Sequence, residues 1–579
     1  SQNAKQAPNN QYSYTKFDSH YRTIESGQIV SATGVSDMVN DVDYPYGNNL
    51  TKRYLLKFAY SEAYPSVSYF DQQYQQFLED RIGYAISDED GLLSTTGDQV
   101  KTYYSYDPHG NVNWMIQDIY PIGKNYLKYS YDLISGSVLK VSYNENLIDK
   151  MFHRYVYDAD KRIRRVETSR DNEVWETDAV YDYYRHGPLA RVQLGDDRVQ
   201  AMDYVYTIHG WLKGINTKGI TNSNLQNDGG SGSVIPKDVV AFGYKYYNND
   251  FGRGLVESTG GDLYNGNIGQ WMSILNLPGV TTGEFYNKPV TKFQYRYDEL
   301  NRLLNTTNTY NHNNVWTGYQ YNESFTYDQN GNIKTLNRNG IDPATGTGLP
   351  IDNLDYAYTA GTNKLDHLTD AVTNTGSLGL GDVQHTIGNN NPNYTYDAIG
   401  NLVEDKSEKL RMEWTPYGKL STVTKYSDAA LTTKTLIIKY YYDASGNRVR
   451  TEREKNPLPA SKCDNPESYE VGTYYARDAQ GNIMSVYGRR YKTVNSACKA
   501  IYFQTEVPIY GSDRIGMYRN ETEVARLNAV SDPNAIESFD RGQNTGYIVI
   551  SGQETLLENT VSTMSYMGSG QFIDRKSVV

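Results

Sequence analysis

The chain has 579 residues, a formal net charge of −12 and a pI near 5.3, a balance that argues against nucleic acid as a partner, since that calls for a basic patch. Only 38 % of residues are apolar, a figure that already includes 56 tyrosines, yet 13 % are aromatic, which separates the chain from disordered sequences. So long a chain exceeds one compact core unless it is built of repeats, each packed mainly on its neighbours.

Residues 1–10 are polar and read as loose, and SQNAKQAPNN has neither the basic start nor the apolar stretch of a signal peptide. That fits a processed N-terminus and a fragment equally. Tyr14–Gly27 reads as a worn copy of a phrase that dominates the chain further on, with Phe17-Asp18 in its Tyr-Asp slot. Ser68–Ile82 is a helix candidate, because Tyr74, Phe77 and Leu78 fall at helical spacing behind Asp71 as a cap. Residues 1–100 are therefore set apart as an N-terminal segment.

From Lys101 the phrase recurs: YSYDPHGNV, YSYDLISG, YVYDADKRI, YDYYRHGPL and YVYTIHGWL, with Asp107, Asp132, Asp158, Asp182 and Thr207 as markers spaced 25, 26, 24 and 25 residues apart. It returns at Asp298 (YRYDELNRL), Asp328 (FTYDQNGNI), Asp397 (YTYDAIGNL), Asp443 (YYYDASGNRV) and Asp478 (YARDAQGNI). A period in this range marks a repeat architecture. Tyr-x-Tyr places two rings on one face of a strand. Asp then opens a type I turn that Gly closes at the fourth position, as in Asp107–Gly110, Asp328–Gly331, Asp397–Gly400, Asp443–Gly446 and Asp478–Gly481. Each phrase is one β-hairpin, so the predicted fold is all-β. Residues 101–579 read as one continuous array, interrupted by loops near 222–233, 337–349, 377–392 and 454–470. Asn265-Gly266 adds a further hairpin signal.

The phrases resemble the YD repeat of the Rhs (rearrangement-hotspot) proteins and of their animal relatives, the teneurins. Longer segments carry the resemblance too: KTYYSYDPHGNVNWMIQDI, YRHGPLARVQLGDDRVQAMDYVYTIHGWLKGIN, DLYNGNIGQW, RMEWTPYGKL and EVPIYGSDRIG are similar to Rhs-type proteins of gliding and related bacteria. The resemblance implies a β-ribbon spiralling into a hollow cocoon or shell, in many members around a toxic C-terminal domain. It also implies export by the type IX secretion route, outer-membrane translocon components as partners, and a secreted or cell-surface location. Nothing after Gly511 matches the self-cleavage segment of full-length members, so neither cleavage nor the identity of an effector carries over. The chain either stops short of such a segment or is a shell without cargo.

For chemistry the sequence offers little. The eight histidines stand singly, with no pair at zinc-ligand spacing, and no nucleophile elbow or phosphate-cradling loop is present, so neither a metal nor another cofactor is expected. The regularly placed aspartates read as turn caps rather than acid/base pairs. The tyrosine rows have two readings, cross-strand stacking and a surface for carbohydrate or an unfolded chain. Cys463 and Cys498 fit a disulfide of an exported protein and two separate thiols alike. No run approaches the ~18 apolar residues of a membrane helix. The expected function is a non-catalytic shell that encloses a C-terminal effector; a teneurin-like adhesion or glycan-binding module is the alternative. If the ribbon closes, its interior is expected to be a wide, polar, tyrosine-lined cavity.

Overall fold

The computed structural model describes residues 3–31, 50–91, 99–198, 200–217, 238, 240–247, 262–275, 290–312, 315–318, 321–341, 348–372, 392–455, 463, 470–494 and 496–528, with short strands beyond 547. Two compact units divide the chain, one formed by Ser1–Asp178 with Tyr396–Val579 and the other by Ala179–Thr395. Among the described residues every strand pairing is antiparallel and the one helical element is the single 3-10 turn Ala7–Asn9.

The first unit holds two ladders. One runs from Gln11–Phe17 through Thr23–Ser31, Leu50–Tyr60 and Ile82–Asp88 to Val100–Tyr106, and on by successive hairpins to Ile163–Ser169. The other includes Leu402–Asp405 and runs by successive hairpins to the long strands Ala497–Tyr510 and Arg514–Asn528. The second unit is a further ladder, in which Leu189–Leu194, Gln200–Tyr206, Leu212–Ile215, Val240–Lys245, Gln270–Leu275 and Val290–Tyr297 pair in sequence order. It continues to Leu365–Asp370.

One local geometry generates these hairpins. In Asp107–Asn111 the Asp107 N–H donates to the Asn111 carbonyl at 2.9 Å and the Gly110 N–H to the Asp107 carbonyl at 3.0 Å. Just before the turn the register slips: Ser105 faces Trp114, but Tyr106 faces Val112, leaving Asn113 as the extra residue of a β-bulge. The same slip precedes the turns at Asp18, Asp158, Asp298, Asp328, Asp443 and Asp478. The fourth turn residue has positive φ throughout, as in Gly110 (92°), Gly331 (87°), Gly400 (97°), Gly446 (81°) and Gly481 (92°). Where glycine is missing the conformation is kept by Tyr21 (60°), Lys161 (63°) and Asn301 (63°).

Tyrosine takes part in the packing as the composition implies. The largest fully buried side chains include Tyr143, Tyr181, Tyr474, Tyr487 and Tyr502 alongside Trp114. Aliphatic residues join them: in the first unit Met115, Ile119, Leu127 and Val141 of one ladder share a cluster with Val449, Tyr487 and Val507 of the other.

Three expectations are corrected. Ser68–Ile82 is not a helix: Ser68–Tyr69 pairs with Gln73–Tyr74, and Phe70, Asp71, Phe77 and Asp80 all have positive φ. Burial of Tyr69 against Trp114 and Tyr126 overrides the helical spacing. The Gln75 side chain bonds the backbone of Tyr64, Gly83 and Tyr104 and fixes the irregular path. Within 337–349 the described residues 337–341 and 348–349 are strand, because Ile333–Ile341 pairs with Gly348–Tyr358, and 342–347 lie outside the described residues. Residues 3–10 are pinned rather than loose, with Gln6 buried against Ser13 and Lys5 3.3 Å from Asp397. The loop at 222–233 lies outside the described residues, as do nearly all of 377–392 and most of 454–470.

Gly400 has φ 97° and open space around its Cα, so strain in a variant there is purely backbone. Gly400→Val is expected to lower stability by more than about 1 kcal/mol, and Lys161→Gly to raise it by up to about 1 kcal/mol. Urea unfolding midpoints of the two variants check both signs.

Candidate functional site

The repeated feature with defined chemistry is the turn carboxylate. In Asp328 the Oδ1 atom accepts the N–H groups of Asn330 and Asn332, and Oδ2 accepts the Asn332 side-chain amide, all at 2.9 Å. Asp107, Asp397, Asp443 and Asp478 hold Asn111, Asn401, Asn447 and Asn482 in the same way. Turns without glycine use arginine at that place: Arg162 Nε donates to Asp158 at 2.8 Å, Arg302 to Asp298 at 2.6 Å and Arg22 to Asp18 at 2.7 Å. Two versions of one clamp therefore exist, Asp-x-x-Gly-Asn and Asp-x-x-x-Arg. The turn at Asp132 is one residue longer, closing on Gly136, and its carboxylate takes the N–H groups of Ile134 and Ser135.

The turn lies two residues beyond Asp182, with no carboxylate to clamp it. There the turn is Tyr184–Pro188, and Asp182 sits in the strand opposite Arg191. A Tyr-x-Tyr pair at 181–183 and another tyrosine at 184 disguised the phase. At Thr207 the hydroxyl replaces the carboxylate and accepts the Trp211 N–H at 3.1 Å.

The two tyrosines of the phrase have different roles. The second, next to the aspartate, donates its hydroxyl to the carbonyl that opens an earlier return strand. Tyr131 reaches Val112, Tyr157 reaches Val138, Tyr327 reaches Leu303, Tyr358 reaches Ile333 and Tyr442 reaches Leu420, at 2.6–2.9 Å. Trp414 Nε1 makes the same bond to Leu402, and Arg477, standing in the tyrosine position of YARD, bonds the Arg448 carbonyl through Nε and Nη2. The phrase shows this tyrosine plainly; the carbonyl that it seeks, about one repeat away, is a tertiary fact.

Electrostatics separate the clamps into two groups. Asp158 is held below the usual 3.8 by the Arg162 side chain first, Asp132 by the Ser135 N–H and Asp328 by the Asn332 amide. For Asp443 and Asp478 burial dominates and raises the carboxyl above 3.8. A separate buried ion cluster lies nearby in sequence. Glu452 receives Arg450 at 3.2 Å, Arg489 at 3.1 Å and the Tyr474 hydroxyl at 2.9 Å, while the Arg450 guanidinium lies 3.8 Å from the centre of the Tyr441 ring. Burial pushes Glu452 up, but Arg450 and Arg489 outweigh it and hold the carboxyl at about 2. Cys463 and Cys498, with Cα atoms 5.7 Å apart, are joined as a disulfide and pack against the core of the first unit. Among the described residues no three His, Cys, Asp or Glu side chains converge as a metal cage.

Hairpin turns, bulges and stitches recur along the chain and define an all-β fold of repeated antiparallel hairpins. No family model matches the chain, and no curated protein matches it. Among solved structures it is similar to TcdB2-TccC3, with 13 % identity and a TM-score of 0.50 over 91 % of this chain and 23 % of that one. It is likewise similar to TcdB2-TccC3 without its hypervariable C-terminal region, with 12 % identity and a TM-score of 0.50 over 94 % of this chain and 24 % of that one. At such identity the likeness shows the fold, and the chain spans about a quarter of the length of those proteins.

Tyr327→Phe removes one stitch and is expected to cost about 1 kcal/mol, read as a lowered unfolding midpoint. Glu452 has a folded pKa below its ordinary 4.5, so its contribution is complete above pH 4.5 and is lost as the pH falls toward 2. Glu452→Gln leaves two buried guanidinium groups uncompensated and is expected to cost about 3 kcal/mol at pH 7. In thermal melts between pH 4.5 and 2, the variant is expected to show a shallower loss of stability than the parent chain.

Proposed function

We propose that the chain forms part of the wall of an Rhs-type shell that encloses and delivers a C-terminal effector, and that the wall itself does no chemistry. The observation that carries this reading is the stitched hairpin array, whose fold is similar over 91 % of the chain to a protein solved with and without a hypervariable C-terminal region. The clamp carboxylates support a non-catalytic role, since each described turn aspartate is engaged by its own turn. Export to the cell surface or medium by the type IX route, with outer-membrane translocon components as partners, rests on the sequence resemblance; the disulfide is compatible with it. Among the described residues no helix is long and apolar enough to cross a membrane.

A second reading, a glycan-binding or adhesion module, is favoured by one place in the second unit. At the turns opened by Tyr184 and Thr207, which lack aspartate, aromatic rings gather: Tyr184 on His186 at 5.3 Å and His209 on Trp211 at 5.0 Å. Limited proteolysis of the full gene product separates the readings. A shell is expected to protect the residues that follow it until denaturant is added, whereas digestion of those residues at the rate of a free peptide overturns the proposal. Cell fractionation that leaves the protein wholly in the cytoplasm overturns export.

A further inference from the structure

Two clamp aspartates differ from all the others in what covers them. In the first unit the turns at Asp443 and Asp478 lie over the face of strands Val100–Tyr106 and Val112–Ile119, and together they border a partly open chamber of about 260 Å³. Its floor consists of two cross-strand pairs, Thr102 opposite Gln117 and Tyr104 opposite Met115. The turns are tied to that floor, because the Arg477 N–H donates to Gln117 Oε1 at 2.9 Å and the Ala479 N–H to the Tyr129 hydroxyl at 3.0 Å.

Both carboxylates line this chamber, and Asp443 is attracted by the nearby Arg477 guanidinium. The Oδ1 atom of each accepts two backbone N–H groups and Oδ2 accepts one asparagine amide. Four lone-pair sites on a carboxylate leave one over. Neither makes an ion pair with a described lysine or arginine. The nearby Arg477 commits its guanidinium to the carbonyls of Arg448 and Gly481. Thr102 provides an independent sign: it is 5 % exposed, lines the chamber, and its hydroxyl has no hydrogen-bond partner among the described residues. Asp443 is buried and Asp478 half-buried; buried charges in folded proteins are paired or coordinate metals, and an oxygen-lined pocket selects hard cations.

We propose that this chamber binds a hydrated divalent cation of the calcium class, held by Asp443 and Asp478 with Thr102 and water completing the shell. The volume suits an ion that keeps several waters, each taking about 30 Å³. With two carboxylates rather than a full protein cage, the dissociation constant is expected at about 10⁻⁴–10⁻³ M. This inference does not depend on the enclosed-effector reading.

The test is calorimetric titration of the EDTA-treated full chain with CaCl₂, paired with thermal melts in CaCl₂ and in EDTA. Binding and a calcium-dependent rise in melting temperature are expected. Asp443→Asn with Asp478→Asn keeps an oxygen acceptor for the turn N–H groups and is expected to weaken binding at least tenfold. Thr102→Val is expected to weaken it several-fold, and Asp158→Asn, at an exposed turn, to leave it unchanged. Absence of both heat and melting shift in the parent chain overturns the proposal whether or not the double variant folds. Binding that Thr102→Val and the double variant leave intact overturns it as well.

Discussion

Everything in this array hangs on a carboxylate that accepts three hydrogen bonds inside five residues. A reversing chain leaves backbone N–H groups pointing into the bend, and unsatisfied donors are costly. The aspartate collects two of them and then anchors the side chain that starts the return strand. With the bend fixed, the bulge follows, since Tyr106 has to face Val112 rather than the next residue along. The bulge in turn aims the tyrosine hydroxyl at a carbonyl about one repeat away. Turn, register and stitch are thus one mechanism, and the 56 tyrosines give the ribbon cohesion that its modest aliphatic content does not.

The two clamp versions show how one geometry tolerates two chemistries. Glycine relieves backbone strain, and asparagine then suffices to complete the clamp. Where Lys161 or Asn301 must take positive φ instead, arginine supplies a charge-assisted bond at 2.6–2.8 Å, of the stronger kind. Strain in one residue is met by a better partner in the next.

Much of this was legible in the residues. The Asp-x-x-Gly phrases located the hairpins at Asp107, Asp328, Asp397, Asp443 and Asp478, and the worn copy with Phe17-Asp18 in the Tyr-Asp slot is a turn whose Asp18 binds Arg22, a bond that the phrase did not show. What stayed hidden has physical causes. The helical pattern in 68–82 came from aromatics that serve a cluster around Trp114. The phase near Asp182 was blurred because three tyrosines flank it and no aspartate holds the true turn. Local sequence also could not say that Asp443 and Asp478 lie against the strands Val100–Tyr106 and Val112–Ile119 of another ladder; their phrases match the other copies, and only these tertiary surroundings distinguish them.

The direction of the stitches has a further consequence. Tyr131, Tyr157, Tyr327, Tyr358, Tyr442 and Arg477 all reach back to residues already earlier in the chain, with Tyr184, which reaches forward to Tyr204, as an exception. Each of these stitches finds its acceptor carbonyl in chain that has already been made. A ribbon wired this way has a built-in polarity of assembly. The core is closed in a different order, since Met115 and Leu127 of the first ladder are covered by Val449, Tyr487 and Val507, which the ribosome delivers hundreds of residues later.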